Sequence, residues 1–382
     1  MTFLVANQKY TTPVIKKNQP DDSFKFQNLP DPTGEYPFHL VLDKVVVPGD
    51  SDQLTFHMVG DTGSLRSPDF QKLVAGQLED QFTVQSGQAK PAFLYHLGDV
   101  VYNHGELERF EKQFFVPYKN YPAPIFAIPG NHDSDVNPDN PVPYTSLSAF
   151  MRVFCTNEAG EVVFSGGSAR HSMVQPNMYW VLETPLANII GLYGNVTKYG
   201  IITTQQEQWF IEQLKWSALE HPDKALIVCI HHAPFSADIN HGSSEPMIEF
   251  FERTYNVTGV RPDVVFSGHV HNYQRFSKKY EDGAEVPFIV AGAGGYDELH
   301  AVAEISDDRF TAENSLFEGV KLENFCDTKH GFLKVNLCRM SGGIELTTEY
   351  YTIPHEMITE DFTPAMLFDK HSIRITAKQG IR

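Results

Sequence analysis

No stretch of this sequence approaches the roughly 18 consecutive apolar residues that a membrane-crossing helix needs. The beginning, Met1 to Gln8, has no basic segment and only a very short apolar run, so no signal peptide is visible. A cytoplasmic protein is expected, or a secreted or periplasmic one if the numbering describes a processed form. The two Asn-Val-Thr sequons, at Asn195 and Asn256, carry little weight without a secretion signal. Cysteine is scarce: the four residues Cys155, Cys229, Cys326 and Cys338 show no CxxC spacing. Cys229 lies in an apolar run and reads as a small core residue. Free thiols in a reducing compartment are expected, with a Cys326–Cys338 bridge as the alternative. Basic residues are outnumbered, 30 against 48 acidic, for a net charge of −18. That balance argues against a general nucleic-acid or anionic-membrane surface. It leaves room for an anionic substrate, because bound cations reverse the sign of a pocket locally.

What is present is an alternation of apolar runs and amphipathic stretches in a 382-residue chain that is 41% hydrophobic, the composition of a globular protein. Runs at 54–59, 92–97, 125–128, 225–230 and 264–266 read as buried strands. Helices are expected over 69–82, 106–118, 205–219 and 245–255. The third has a capping-box spacing in Thr204 and Glu207 and an apolar face of Trp209, Ile211, Leu214 and Trp216. The pattern predicts a layered α/β domain with its site at the C-terminal ends of strands. Residues 1–50, with a strand candidate at 39–47, read as an arm or edge strand packed on the main body. A catalytic domain is expected over 51–355, turning β-rich after 295 (strands at 331–336 and 344–353), and 356–382 reads as a C-terminal extension.

Five of the apolar runs end in metal-binding side chains. They are Gly60-Asp61-Thr62-Gly63, Gly98-Asp99-Val100-Val101-Tyr102, Gly130-Asn131-His132-Asp133, His231-His232-Ala233-Pro234 and Gly268-His269-Val270-His271. A two-metal hydrolytic centre needs one ligand shared by both ions, several terminal ligands and an open position for water. The two oxygens of Asp99 suit the shared role. Asn131, His232, His269 and His271 complete each sphere without adding negative charge that would repel an anionic ester. In a strand or tight turn, His269 and His271 point the same way. Each motif alone has an ordinary explanation, since Gly-Asp is usually a turn. Five in this order leave little room for one. His57, His96, His104 and His171 fit no motif and read as core or surface residues, with His104 near enough to Tyr102 to line the pocket. Gly292-Ala293-Gly294-Gly295 reads as a tight turn bordering the site.

These motifs resemble those of the calcineurin-like metallophosphoesterases, whose general pattern is DxH, GDxxD or GDxxx, GNH(E/D), a histidine motif and GHxH. The purple acid phosphatase branch is the most similar: there the DxH histidine is absent and a tyrosine stands three residues after the shared aspartate, as Gly63 and Tyr102 do here. The resemblance covers about residues 55–295 and implies an αββα sandwich of two mixed sheets flanked by helices. It implies Asp61, Asp99, Tyr102 and His271 around an Fe(III) ion, and Asp99, Asn131, His232 and His269 around a divalent Fe, Zn or Mn. The family's His-x-Pro spacing favours His232 as the ligand and makes His231 its neighbour on the opposite side. A phenolate is a hard anionic donor suited to a trivalent ion. His132 matches a position that contacts phosphate and protonates the leaving oxygen. His241 matches a substrate-facing histidine more loosely.

The activity implied is that of an acid phosphatase: hydrolysis of a small phosphomonoester by in-line attack of a metal-bound hydroxide, with neither nucleic acid nor membrane as partner. The rivals are a phosphodiesterase acting on small diesters such as cyclic nucleotides, and a non-catalytic scaffold that kept the fold. A serine/threonine phosphoprotein phosphatase is disfavoured, because Tyr102-Asn103-His104-Gly105 stands where that branch has Asp-Arg-Gly.

Overall fold

A computed structural model gives the structure, and it describes residues 8–47, 49–66, 68–83, 89–354 and 364–376. Two mixed sheets pack face to face. The first has the strand order Met366–Ile375, Gly343–Thr352, Gly331–Met340, Gln53–Val59, Leu94–His96, Ile125–Ala127. The second runs Val320–Cys326, Tyr273–Lys279, Glu285–Ala291, Val264–Ser267, Ala225–Ile230, Ala187–Leu192, Trp180–Glu183, His39–Val41. This is the layered α/β architecture that the sequence pattern predicts, with the two mixed sheets that the resemblance implies.

Pairing direction decides where the site falls. Gln53–Val59, Leu94–His96 and Ile125–Ala127 are mutually parallel, so the residues following each of them emerge along one edge. Ala225–Ile230 and Val264–Ser267 are likewise parallel in the other sheet. Strands covered on both faces are apolar throughout, and Ala225–Ile230 is fully buried at all six positions. The sheets meet through Tyr95 and Phe126, whose rings lie 6.1 and 5.6 Å from that of Trp180. On the outer face of the first sheet, His57 of the Gln53–Val59 strand reaches Gln81, which closes the helix Asp69–Asp80, at 3.1 Å. Helices Thr204–Glu220 and Glu245–Thr258 pack on each other through Phe210 and Phe250. Asn188 of the second sheet is anchored to Ser217 of the first of these two.

Several local readings shift by a residue or more. The cap of helix Thr204–Glu220 is Thr203, whose hydroxyl accepts from the Gln206 amide at 3.2 Å. Either threonine satisfies the sequence rule, and the strand-side backbone conformation of Thr203 selects it. The helix expected over 106–118 is a single turn, Leu107–Phe110, running into a wider turn, Glu111–Phe115. The strand expected at 39–47 stops at Val41, and the chain coils at Leu42–Lys44.

The N-terminal segment joins the edge of the second sheet through His39–Val41, while Ile15–Lys16 pairs with Phe310–Thr311 in a separate two-stranded sheet. The described part of the C-terminal segment forms the strand Met366–Ile375 at the edge of the first sheet; residues 355–363 and 377–382 lie outside the described residues. All four cysteines are free, and Cys326 and Cys338 form no bridge. Asn195 is buried, with its amide donating to and accepting from the Gln27 backbone. Among the described residues no helix is long and apolar enough to cross a membrane.

Candidate metal centre

The C-terminal edges of both sheets deliver Asp61, Asp99, Tyr102, Asn131, His231, His269 and His271 to one buried place. Three of these, Asp61, Asp99 and His269, hold positive φ values of 58°, 55° and 67°. Such backbone costs a non-glycine residue about 1–3 kcal/mol each and concentrates at functional sites. Surrounding hydrogen bonds hold it in place. The Asp61 carboxylate accepts the His269 amide at 2.8 and 3.0 Å, and Asp99 Oδ1 accepts the His132 amide at 2.9 Å. The chain passes tightly at Gly130, where a β-carbon would stand 2.1 Å from Asp99 Oδ1.

The donors form two neighbouring groups with Asp99 between them. In the first, Tyr102 Oη lies 3.2 Å from both Asp61 Oδ1 and His271 Nε2, and those two are 3.5 Å apart. In the second, Asn131 Oδ1 lies 3.1 Å from His231 Nε2 and 2.9 Å from His269 Nδ1. His231 Nε2 is in turn 3.3 Å from Asp99 Oδ2. Ligands sharing one ion at bonds of about 2.0–2.3 Å sit roughly 3–3.5 Å apart, which is the spacing in both groups.

The spacing to Pro234 favoured His232, yet the imidazole that reaches Asp99 belongs to His231. Successive side chains at a strand end face opposite sides, and Ala225–Ile230 ends so that position 231 faces the cluster. His231 Nδ1 is tied to the Leu97 carbonyl at 2.8 Å, leaving Nε2 for the site. His232 turns its Nε2 to the Thr197 carbonyl at 2.8 Å. Its ring fills space left by Gly194 and Gly200, where added β-carbons would fall 2.3 and 3.1 Å from it.

The electrostatics of the cluster call for a cation. Burial pushes Asp61 well up, and the neighbouring Asp99 adds to this while His231 opposes it. Burial alone would raise Asp99 too, but His231 and His132 outweigh it and hold that carboxyl ionised. Burial works against charge on His231, yet Asp99 and Asp61 pull it up to about 9. Burial, then Asp99 and Asp61, push the Tyr102 phenol well above its ordinary value, so that it ionises only if a cation compensates. Burial lowers His269 and His271 far below their usual range, keeping them neutral with lone pairs available. Two carboxylates, a phenol, an amide oxygen and three imidazoles fit two ions, a hard one on the phenol side and a borderline one beside Asn131.

Around this core stand residues that the motifs did not single out. Asp133 accepts from the amides of Val100, Val101 and Gly130 at 3.0, 3.0 and 2.8 Å, binding the Asp99 turn to the Asn131 turn. Gln113 grips the backbone of Tyr102 at both its amide and its carbonyl, at 2.9 Å each. Tyr296 covers Tyr102 and His271, with ring centroids 4.3 and 4.5 Å away. His300 stacks on His271 at 4.1 Å. The only sequence hint for Asp133 was its place inside Gly-Asn-His-Asp; the others are brought in by long-range packing.

His132 sits half-exposed over the Tyr102 ring, 4.4 Å between centroids, with Nδ1 on the Asn103 carbonyl at 2.6 Å. His241 lies over His269 at 4.2 Å between centroids. It belongs to a second group of potential ligands, Asp238, His241 and His300. The Asp238 carboxylate is taken up by the amides of Asn240, His241 and Gly242 and by the Ser236 hydroxyl.

A mixed two-sheet sandwich with a histidine, carboxylate, amide and phenol centre at its parallel strand ends defines a metallophosphoesterase. The family described as calcineurin-like phosphoesterase matches residues 54–273, more than half of the sequence, and the chain belongs to it. It is similar to purple acid phosphatase 15 of Arabidopsis thaliana, 26% identical over 48% of this chain and 32% of that protein. It is also similar to the probable purple acid phosphatase 20 of the same plant, 32% identical over 28% of this chain and 24% of that protein. The matches thus span about a third or less of these relatives' length. Among solved structures, the Plasmodium protein GAP50, described as the anchor in the inner membrane complex, aligns with a TM-score of 0.54 at 15% identity, covering 86% of this chain and 90% of that one. That likeness concerns the fold.

Proposed function

We propose that the protein is a phosphomonoesterase of the purple acid phosphatase type, with Asp61, Asp99, Tyr102 and His271 holding Fe(III) and Asp99, Asn131, His231 and His269 holding a divalent Fe, Zn or Mn. The observation that carries this reading is the Tyr102 phenol, placed 3.2 Å from Asp61 and from His271. Two such ions supply Lewis acidity toward phosphoryl oxygens and lower the pKa of a water molecule.

The chain's own groups supply the rest. The neutral His269 and His271 and the Asn131 amide add no negative charge against an anionic ester. His132 commits one ring N–H to the Asn103 carbonyl, so in the imidazolium the proton on Nε2 is the one available to a leaving alkoxide. His241, fixed above His269 by the Asp238 turn, faces the substrate oxygens.

Two measurements test the reading. Metal analysis of protein purified without chelators should find about two ions per chain, iron among them; a protein devoid of transition metal speaks for a scaffold. Turnover of p-nitrophenyl phosphate should exceed that of bis-p-nitrophenyl phosphate, and the reverse order would assign a diesterase.

A further inference from the structure

Lys198 occupies an unusual position for a cation in a chain of net charge −18. Its backbone is fixed to the candidate metal centre: the carbonyl accepts His269 Nε2 at 2.9 Å, and the amide donates to Asp22 Oδ2 at 3.0 Å. Its side chain is half-buried, and among the described residues it joins no ion pair. Removing an ammonium from water is costly unless an anion replaces the solvent.

The carboxylates that act most strongly on it are Asp238 and Asp22. Asp238 is saturated by the turn it caps, and Asp22 already accepts the Lys198 amide and lies 3.8 Å from Lys25. Two further lysines act on the same ammonium, Lys16 and Lys25, both from the N-terminal segment. Lys16 reaches over the Asp238 turn to the Asn240 carbonyl at 3.3 Å. His241, between this group and His269, also feels Lys198.

Resting on the phosphoesterase reading, we propose that the substrate carries a second phosphate beside the scissile one, and that Lys198, backed by Lys16, receives it. The Lys198 carbonyl touches His269, and the Lys16 ammonium rests on the Asn240 carbonyl next to His241, so both stand beside these two histidines. The N-terminal segment thereby contributes to substrate selection as well as to the sheet edge.

The experiment compares inorganic orthophosphate and inorganic pyrophosphate binding to metal-loaded wild type, Lys198→Met and Lys198→Arg by calorimetry. Metal content is measured again afterwards, so that stripping is not mistaken for binding. The substitutions leave the two backbone hydrogen bonds of Lys198 intact, and melting temperatures check that the fold survives. Wild type should prefer pyrophosphate; Lys198→Met should lower that preference about tenfold, as expected for one charge-assisted contact, and Lys198→Arg should restore most of it. Equal losses for both anions, or no loss, overturn the proposal. Turnover of p-nitrophenyl phosphate by wild type reports separately on the parent reading. If that turnover is absent, the pyrophosphate comparison still decides whether Lys198 receives a second phosphate.

Discussion

A β-carbon on Gly63 would stand 3.0 Å from Cδ2 of Tyr102, so the two positions share one volume. The same carbon would meet Gln113 Oε1 at 2.3 Å and the Val100 carbonyl at 2.8 Å. Gln113 has no room to yield, because it holds the Tyr102 backbone at both ends. The missing histidine and the added tyrosine are therefore one steric arrangement as well as one exchange of donors. Gly63→Ala should cost about 1–3 kcal/mol, the range for overpacking a core, read as a lower urea midpoint. The cost should shrink when Tyr102→Ala is combined with it, and strictly additive losses would show that the two sites do not compete for space.

Tyr102→Phe separates the donor from the ring. The ring packs between His132 and Tyr296 and survives the change, so stability should fall by only about 1 kcal/mol for the lost hydrogen bonds. If the phenol is a ligand to a trivalent ion, visible charge-transfer absorption present in wild type should vanish. An unchanged spectrum in a coloured wild type removes Tyr102 from the centre.

Adjacent histidines give a sharper test. His231→Ala should reduce bound metal to about one ion per chain, since its Nε2 faces Asp99 and Asn131. His232→Ala should keep both ions and cost stability instead, because its ring fills the space between Gly194 and Gly200. Metal content with the opposite assignment would restore the His-x-Pro reading.

That pair marks the boundary of what the sequence discloses. Strand Ala225–Ile230 is legible to the residue, because six consecutive apolar side chains need burial on both faces. Gathering the motif residues at one edge follows from parallel pairing, which alternating helices and strands imply. The side each side chain takes just beyond the strand does not follow, since one residue of register reverses it. Thr203 against Thr204 is the same ambiguity in a helix cap. Asp133 stands inside the Gly-Asn-His-Asp motif, but its hold on the Asp99 turn does not show there. Gln113, Tyr296 and His300 escape notice because their roles consist of contacts with other segments, and no local pattern encodes those.

The last prediction concerns the support behind the Gly-His-Val-His turn. Asp369, on the outermost strand of the first sheet, accepts from Tyr273 Oη and Arg275 Nε at 2.7 Å each, on a strand of the second sheet. Tyr273 begins two residues after His271 and stacks on Tyr350 at 3.9 Å, so this bridge ties both sheets together beside the centre. Burial works to raise the Asp369 carboxyl, but Arg275, Tyr273 and Asn324 outweigh it and bring it down to about 2. An unfolded aspartate titrates near 3.9, so the folded state binds its proton less readily. The stabilisation is therefore present above about pH 4 and is lost as pH falls toward 2. At neutral pH that difference corresponds to about 2.6 kcal/mol, which solvent screening reduces to about 2 kcal/mol. Asp369→Asn should lower the urea midpoint at pH 7 by a corresponding amount, and its deficit against wild type should narrow steadily between pH 4 and pH 3. A deficit that stays constant over that interval would assign the contribution of Asp369 to packing rather than to its charge.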